Sequence, residues 1–303
     1  MYHQIARNKR KSVIVVATFF IVWSAIGYGI GYIASGVSGG ISGIVIAAIL
    51  ALLAVLWSLT LGQATVLAVS GAQPVTQQQA PVLYDIVSTL AIGAGLPMPK
   101  IYIIDDPSPN AFATGTSPQK AAVTCTTGLL AIMNREELEG VLAHEMSHIR
   151  NYDVRLVLIV ATSVALAGLL ASLLWRSLFF TRGGNSRDGG YLIIVLIAAA
   201  ALLTVVAVIV GPLMQLSLSR SRESLADASS VELTRNPTGL LHALQKLQAN
   251  DKPFAKMTHT TAAMCIDDPL QHHGGFTHHL FDTHPPIEER IAALQAMLQV
   301  KET

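Results

Sequence analysis

The sequence carries two histidines spaced for metal binding, in the segment His144-Glu145-Met146-Ser147-His148. Side chains four residues apart project from the same face of an α-helix, so both imidazoles can bind one metal ion. Neutral imidazole is a suitable ligand for Zn²⁺, at about 2.0–2.1 Å. Glu145 follows the first histidine, where its carboxylate can reach a water molecule at the metal rather than the metal itself. This spacing predicts a zinc site with hydrolytic chemistry.

A second pair, Glu223 and Asp227, also has a four-residue spacing, within a helical stretch from Ser219 to Leu233. Taken alone, the pair is typical of a solvated helix face next to a membrane, with Arg220 and Arg222 contacting lipid headgroups. A zinc site with two histidines, however, needs a third protein ligand and keeps its fourth position open for water. The pair could supply that ligand and a carboxylate that holds a ligand histidine. On residue types alone, both interpretations stay open.

Helices and short strands must position these residues. The spacing of apolar residues predicts a helix from Pro81 to Gly95. Lys100–Ile104 and Ala121–Thr126 are typical of short strands. Asn134, with Glu137 three residues later, is typical of a capping box and predicts the start of the helix that carries the histidines. We therefore expect a mostly α fold with a small β-sheet.

Charged residues are unevenly distributed along the 303-residue chain, which is 51% hydrophobic and only 13% charged. Three long segments contain no Asp, Glu, Lys or Arg: Ser12–Tyr84, Leu156–Trp175 and Gly189–Ser219. Soluble domains have about 25% charged residues, so a purely soluble protein is excluded. The net charge of +1 gives no electrostatic reason to bind nucleic acid. The two cysteines, Cys125 and Cys265, lack the spacing of a disulfide framework or a cysteine-based metal site.

We expect four membrane spans in the charge-free segments, at about residues 14–34, 44–69, 156–175 and 191–218. The stretch Ser35–Gly43 (SGVSGGISG) is predicted to be the turn between the first two spans. A cleaved signal peptide is the alternative for the first span, and a buried soluble hairpin is the alternative for the last two. The predicted domains are 1–69 with the first hairpin, 70–155 with the histidine helix, 156–218 with the second hairpin, and 219–303 with the acidic pair.

Basic residues next to the first span predict its orientation. Four of them precede the span and none lies in the turn that follows, so the amino terminus, Ser70–Arg155 and Arg220–Thr303 are predicted to be cytoplasmic. Arg176, Arg182 and Arg187 disagree with this topology, because they lie in a loop that it places outside. Either that loop is an exception, or the last two segments do not cross the membrane fully.

Beyond these patterns, the chain resembles the HtpX-type membrane zinc metallopeptidases, which are related more distantly to the CAAX prenyl proteases. The motifs that carry the resemblance cover nearly the whole chain: Ala94–Asp105, Pro109–Gly115, Thr126–Leu130, Glu136–Val154, Ser219–Pro237 and Thr283–Leu294. The resemblance implies a multi-pass membrane protein with a zincin-like (gluzincin) metallopeptidase domain. It also implies one Zn²⁺ per chain, held by His144, His148 and Glu223, with Glu145 as the catalytic base.

The resemblance further implies roles for residues around the metal. Asp227 is expected to orient a ligand histidine, Arg290 to line or brace the site, and His284 to stabilise the developing oxyanion. The substrate peptide is expected along a free strand edge, through main-chain hydrogen bonds. The residues expected at that edge are Asn110, Ala111, Phe112, Ala121 and Val123.

The function predicted in this way is a zinc endopeptidase of the cell (plasma or inner) membrane. It would degrade misfolded or damaged membrane proteins at the cytoplasmic face, in stress response and protein quality control. Its partners would be unfolded or membrane-protein substrates and the lipid bilayer. The alternatives are a CAAX-type prenyl-protein processing protease and a catalytically silent zinc-binding scaffold. An intramembrane protease is disfavoured, because Glu136–Arg155 contains seven charged residues.

One tract departs from the family pattern: QHHGGFTHHLFD, which contains His272, His273, His278 and His279. A histidine-rich tract can bind metal, whereas a Gly-Gly loop is more typical of a flexible surface segment. A second metal site in this tract therefore remains an alternative to a simple surface loop.

Overall fold

The computed structural model describes residues 2–181, 193, 196–201, 203–204, 207, 220–249, 265 and 286–301. The helices are α1 (Tyr2–Thr60), α2 (Gly62–Val69), α3 (Pro81–Ala94), α4 (Thr127–Ile132), α5 (Arg135–Arg150), α6 (Asp153–Thr181), α7 (Arg220–Thr234), α8 (Pro237–Gln248) and α9 (Ile287–Lys301). The strands are β1 (Gln73–Pro74), β2 (Lys100–Ile104), β3 (Ala111–Gly115) and β4 (Ala121–Thr126), and a 3₁₀ helix spans Pro118–Lys120. The described residues are thus mostly helical with a small sheet, as the sequence predicted.

The chain divides into two compact units. The first comprises Met1–Lys9, Gln63–Leu158 and Gln215–Thr303, and the second comprises Arg10–Gly62 and Ile159–Met214. All of the described candidate site residues belong to the first unit.

The sheet of the first unit is mixed, with the strand order β1-β2-β4-β3. Strand β2 runs parallel to β4 and places Lys100 opposite Ala122. Strand β3 runs antiparallel to β4 and places Ala111 opposite Cys125. Strand β4 therefore has a hydrogen-bonded neighbour on each side, and β3 forms one edge of the sheet.

Helix α5 forms the centre of the first unit and begins at a capping box. The side chain of Asn134 accepts a hydrogen bond of 2.9 Å from the Glu137 backbone N–H, and Glu137 Oε2 accepts one of 2.7 Å from the Asn134 N–H. Lys246 of α8 also donates to Glu137 Oε2, at 2.6 Å. The predicted capping box is therefore present, and an ion pair to a neighbouring helix fixes it further.

Helix α5 packs against α8 at a close crossing between two glycines. A Cβ atom on Gly140 would lie 2.5 Å from the backbone nitrogen of Leu240, and one on Gly239 would lie 2.5 Å from the carbonyl oxygen of Glu136. On another side of α5, the Ser230 hydroxyl of α7 donates to the Gly140 carbonyl at 2.8 Å. These contacts fix the axial position of α7, which carries the acidic pair, against the histidine helix.

The second unit contains a hairpin of two apolar helical segments within α1. The helix is broken at Ser35 and Gly36, where Gly36 has a φ of 65°. Across this break, a Cβ on Gly31 would lie 2.0 Å from the carbonyl oxygen of Gly39, and a Cβ on Gly43 would lie 2.0 Å from that of Gly27. Glycines spaced by four residues allow two helix backbones to approach this closely.

The predicted turn over Ser35–Gly43 is therefore wrong in its extent, because only Ser35 and Gly36 leave the helical conformation. The other glycines of this stretch stay helical, since they serve as the contact surface of the hairpin. Two described helical segments are long and apolar enough to cross a membrane, Ser12–Thr60 and Asp153–Leu178. The predicted span at residues 191–218 falls mostly outside the described residues.

Candidate metal centre

Three potential metal ligands converge in the first unit, His144 and His148 from α5 and Glu223 from the first turn of α7. The Nε2 atoms of the two histidines are 3.2 Å apart. Glu223 Oε2 lies 3.4 Å from Nε2 of His144 and 3.7 Å from Nε2 of His148. In a tetrahedral zinc site with bonds of about 2.0–2.1 Å, donor atoms lie about 3.3–3.4 Å apart. The three donors therefore fit one zinc ion.

A carboxylate and an arginine stand behind His144. Its Nδ1 atom lies 2.8 Å from Oδ1 of Asp227. Arg290 donates two hydrogen bonds to the same carboxylate, from Nη2 to Oδ1 at 2.7 Å and from Nε to Oδ2 at 2.9 Å. This arrangement holds the imidazole with Nε2 directed at the metal position. The structure places Asp227 next to His144 and Arg290 next to Asp227.

A second carboxylate, Asp153, stands behind His148. Its Oδ2 atom lies 3.1 Å from His148 Nδ1, and its Oδ1 atom lies 3.7 Å from Nη1 of Arg222. Sequence reasoning gave Asp153 no role and treated Arg222 only as a lipid contact. The available signal was the five-residue interval from His148 to Asp153, which spans the end of one helix and the start of the next.

Glu145 is 2% exposed and lies on the same helix as the two histidines. Glu145 and Ala113 of β3 line the same cavity. Burial raises the pKa of Glu145 above its ordinary value, and the positive charge of His144 and His148 acts in the opposite direction. A raised pKa suits a carboxylate that must accept a proton near neutral pH and release it later.

The carboxylates around His144 and His148 favour protons or a cation at the two histidines. Burial on its own would lower the pKa of His148, but Glu223 and Asp153 outweigh it and raise this pKa to about 10. The pKa of His144 is raised in the same way: burial opposes the shift, and hydrogen bonds to Asp227 and Glu223 outweigh it. A divalent cation could replace the protons on these histidines.

Arg290 keeps Asp227 ionised. Burial would raise the pKa of this carboxyl group, but the Arg290 guanidinium and His144 together hold it well below its ordinary value. The carboxylate behind His144 is therefore charged throughout the physiological pH range.

The cavity at these residues is small, about 20 Å³, which is room for about one water molecule. It is lined by Ala113, His144, Glu145, His148, Asp153, Val154, Val157, Arg222, Glu223 and Cys265. Strand β3 is buried along its whole length. Cys265 forms an antiparallel bridge with Phe112 of β3, so the chain itself takes this position of the sheet edge. No sequence signal pointed to this contact.

The residues expected at the peptide-binding edge fall into two groups. Ala111 and Phe112 belong to the edge strand β3, and Asn110 precedes it with its backbone N–H donating to Thr126 Oγ1 at 2.9 Å. Ala121 and Val123 lie on β4, and their expected place at a free edge is wrong. Strand β4 pairs with β2 on one side and β3 on the other, so its backbone has no open edge.

Some predicted residues lie outside the part of the chain that the structure describes. They are His284 and the four histidines of the glycine-rich tract, His272, His273, His278 and His279. Their roles in oxyanion stabilisation and in a second metal site stay predictions.

Comparisons with known proteins agree with this geometry. Residues 77–298 match the profile of Peptidase family M48. A protein called "Protease HtpX homolog" from Ligilactobacillus salivarius is 46% identical over 303 residues, covering 98% of this chain and 100% of that protein. One of the same name from Streptococcus pneumoniae is 45% identical over 306 residues, with the same two coverages.

A solved structure is also similar in fold. The crystal structure of Ste24p from S. mikatae aligns with a TM-score of 0.50 at 20% sequence identity. The alignment covers 96% of this chain but 66% of that one.

Proposed function

The chain belongs to peptidase family M48, and from this membership we propose that it is a zinc endopeptidase that degrades unfolded or damaged membrane proteins at the cytoplasmic face of the membrane. The family and the apolar helices establish a membrane metalloprotease. The observation that carries the proposal is the convergence of His144, His148 and Glu223 on one point beside Glu145.

The residues of the site divide the work of peptide hydrolysis. His144, His148 and Glu223 would hold the metal through Nε2, Nε2 and Oε2. A bound zinc ion supplies Lewis acidity to the scissile carbonyl and to water. Glu145 accepts a proton from the attacking water and passes it to the leaving amine nitrogen. Ala113 of β3 lies beside Glu145 in the lining of the cavity where this transfer would occur.

The shape of the site suggests how a substrate enters. A peptide that adds to β3 through main-chain hydrogen bonds would be read with little sequence preference, as removal of diverse damaged proteins requires. Because Cys265 occupies the edge at Phe112 and the cavity holds about one water molecule, such a peptide must displace the chain at Cys265. An unfolded segment is suited to this, since it can supply an extended strand.

The proposal is tested with the purified full-length protein in detergent. We expect it to cleave casein, to lose this activity on treatment with a zinc chelator, and to regain it when zinc is added back. A farnesylated peptide and its unfarnesylated counterpart are compared in the same assay. Preferential cleavage of the farnesylated peptide would instead favour a CAAX-type processing protease. Zinc binding without cleavage of any substrate would favour the silent scaffold.

The proposed multi-pass topology has its own test. Reporter fusions after Lys120 and at the carboxyl terminus should both report the cytoplasm if four spans cross the membrane. A carboxyl terminus outside, with Lys120 inside, would show that the last two apolar segments do not form a full hairpin.

A further inference from the structure

The two histidine ligands are each backed by a carboxylate that is paired with an arginine. Behind His144 the pair is Asp227 with Arg290, joined by hydrogen bonds of 2.7 and 2.9 Å. Behind His148 stands Asp153, at 3.1 Å from Nδ1, with Arg222 as the neighbouring cation at 3.7 Å. Both pairs are nearly inaccessible to water, since all four residues are at most 5% exposed. The second pair repeats the chemistry of the first in a looser form.

The backbone between α5 and α6 places Asp153 where His148 requires it. Helix α5 ends at Arg150, and Asp153 is the first residue of α6. Between them, Tyr152 has a φ of 61°, a left-handed conformation that is uncommon for a residue with a Cβ atom. This tight reversal brings a carboxylate from the start of one helix to a histidine on the last turn of the other.

Arg222 is buried at 5% exposure, and among the described residues nothing accepts a hydrogen bond from its Nε atom. A buried guanidinium is costly unless a carboxylate compensates its charge. The carboxylate in ion-pair range of Arg222 is that of Asp153. Arg222 directly precedes the ligand Glu223 on α7 and lines the same cavity as Glu145. Its position is therefore tied to the site and not to the lipid surface.

We propose that Asp153 and Arg222 are a second positioning pair, in which Asp153 holds the His148 imidazole with Nε2 toward the metal and Arg222 keeps Asp153 in place. Helix α7 then supplies three things to the site: the ligand Glu223, the carboxylate Asp227 behind His144, and the arginine behind His148. The inference rests on the proposed metal site, but it concerns metal binding and not the identity of the substrate.

The proposed role of Asp153 and Arg222 leads to a specific prediction about zinc affinity. Asp153→Asn keeps the size of the side chain and a hydrogen-bond acceptor for Nδ1 but removes the charge, and we expect zinc affinity to fall about 10–100-fold. The same change leaves Arg222 as an uncompensated cation near the metal. Adding Arg222→Gln to Asp153→Asn should therefore restore part of the lost affinity. In the otherwise wild-type protein Arg222→Gln should bring no gain, because it removes the cation that keeps Asp153 in place behind His148.

The measurements use full-length, metal-free protein in detergent. Zinc affinity is measured by competition with a chromophoric chelator, and the geometry of the ligands by the visible absorption of the Co²⁺-loaded protein. Thermal unfolding of the metal-free variants separates loss of metal binding from loss of fold. Asp85→Asn is the matched control, since it removes a surface carboxylate that pairs with Arg135, and neither residue lines the cavity. It should leave both metal readouts unchanged.

Two results would contradict the proposal that Asp153 and Arg222 act as a positioning pair. One is a folded Asp153→Asn protein whose zinc affinity and Co²⁺ spectrum match the wild type. The other is an equal gain in zinc affinity from Arg222→Gln in both backgrounds, which would make Arg222 an independent charge. If Asp153→Asn alone does not fold, the double variant replaces it, because it removes both buried charges together. A wild type that binds zinc but cleaves nothing would refute the proposed function and leave this inference intact.

Discussion

Ala113 and Glu145 line the same small cavity. Ala113 lies on the edge strand β3, and Glu145 lies on the helix that carries both histidines. The strand proposed to receive the substrate therefore borders the group proposed to accept a proton. A shift of β3 along its axis would disturb substrate alignment and the surroundings of the proton acceptor together.

Glu145→Gln should separate metal binding from catalysis. Glutamine has nearly the same size and shape as glutamate, so packing and zinc content should persist. It cannot accept a proton from water, a contribution of about 10²–10⁴-fold. We expect the rate of casein cleavage to fall by about this factor. The zinc content, measured by atomic absorption, should stay the same. Glu136→Gln, an exposed change on the first turn of the same helix, serves as the control. Near-normal proteolysis by Glu145→Gln would refute the peptidase mechanism.

Glu223→Ala should abolish tight zinc binding, because two histidines alone leave the ion without its third protein ligand. Asp227→Asn should keep zinc but weaken its affinity about 10–100-fold, since it acts on the metal only through His144. Metal analysis after dialysis against a weak chelator distinguishes the two. Full zinc occupancy in Glu223→Ala would show that another residue completes the site.

Zinc binding should release protons and strengthen as the pH rises. The pKa of His148 is raised to about 10 in the metal-free site, so this imidazole is protonated at pH 7. A metal needs the neutral imidazole, so each bound ion must displace at least one proton. The apparent affinity should then increase about tenfold per pH unit for each proton released. Titration calorimetry in buffers of different ionisation enthalpy counts these protons, and a heat independent of the buffer would contradict the prediction.

The two cysteines should respond differently to substrate. Both are buried and neither forms a disulfide, but Cys125 lies on the interior strand β4, whereas Cys265 pairs with the edge strand β3 at Phe112. A peptide that pairs with β3 at Phe112 would displace Cys265 from that position. It should therefore expose Cys265 and leave Cys125 protected. Maleimide labelling of the Glu145→Gln protein, with and without unfolded casein, measures this. Equal labelling of Cys265 in both conditions would indicate that the substrate binds elsewhere.

Gly31→Ala should destabilise the α1 hairpin, whereas Gly29→Ala should not. The new Cβ at Gly31 would lie 2.0 Å from the carbonyl oxygen of Gly39, but a Cβ at Gly29 meets nothing within 4 Å. Overpacking of this kind costs about 1–3 kcal/mol. The midpoint of thermal inactivation in detergent is measured for both variants. Equal midpoints would mean that the close glycine contact does not stabilise the hairpin.

Local signals explain which parts of the fold could be predicted. The bounds of β2 and β4 and the capping box at Asn134 follow from neighbouring residues, and the structure confirms them. The turn predicted over Ser35–Gly43 was too long, because glycines that pack against a second helix can stay helical and let the two backbones approach closely. The position of Asp153 beside His148 depends on the left-handed backbone conformation of Tyr152, which no local sequence pattern predicts.

The interior position of β4 and the contact of Arg222 with Asp153 could not be predicted, for a different reason. The place of β4 inside the sheet depends on pairing between segments separated in sequence, which periodicity does not report. The contact of Arg222 with Asp153 joins two helices far apart along the chain. Such contacts come from tertiary packing, so residue types and spacing alone leave them open.

The order of the ligands along the chain has a consequence for biosynthesis. His144 and His148 are translated together, but Glu223 follows 75 residues after His148, and the arginine that braces Asp227 comes only at residue 290. Since a chain is made from its amino terminus at about 5–20 residues per second, the ribosome releases the histidine helix well before the third ligand exists. The growing chain therefore has no complete ligand set while the apolar segments that precede Glu223 are being made. The proposed peptidase thus cannot act on its own nascent chain before Glu223 has been synthesised.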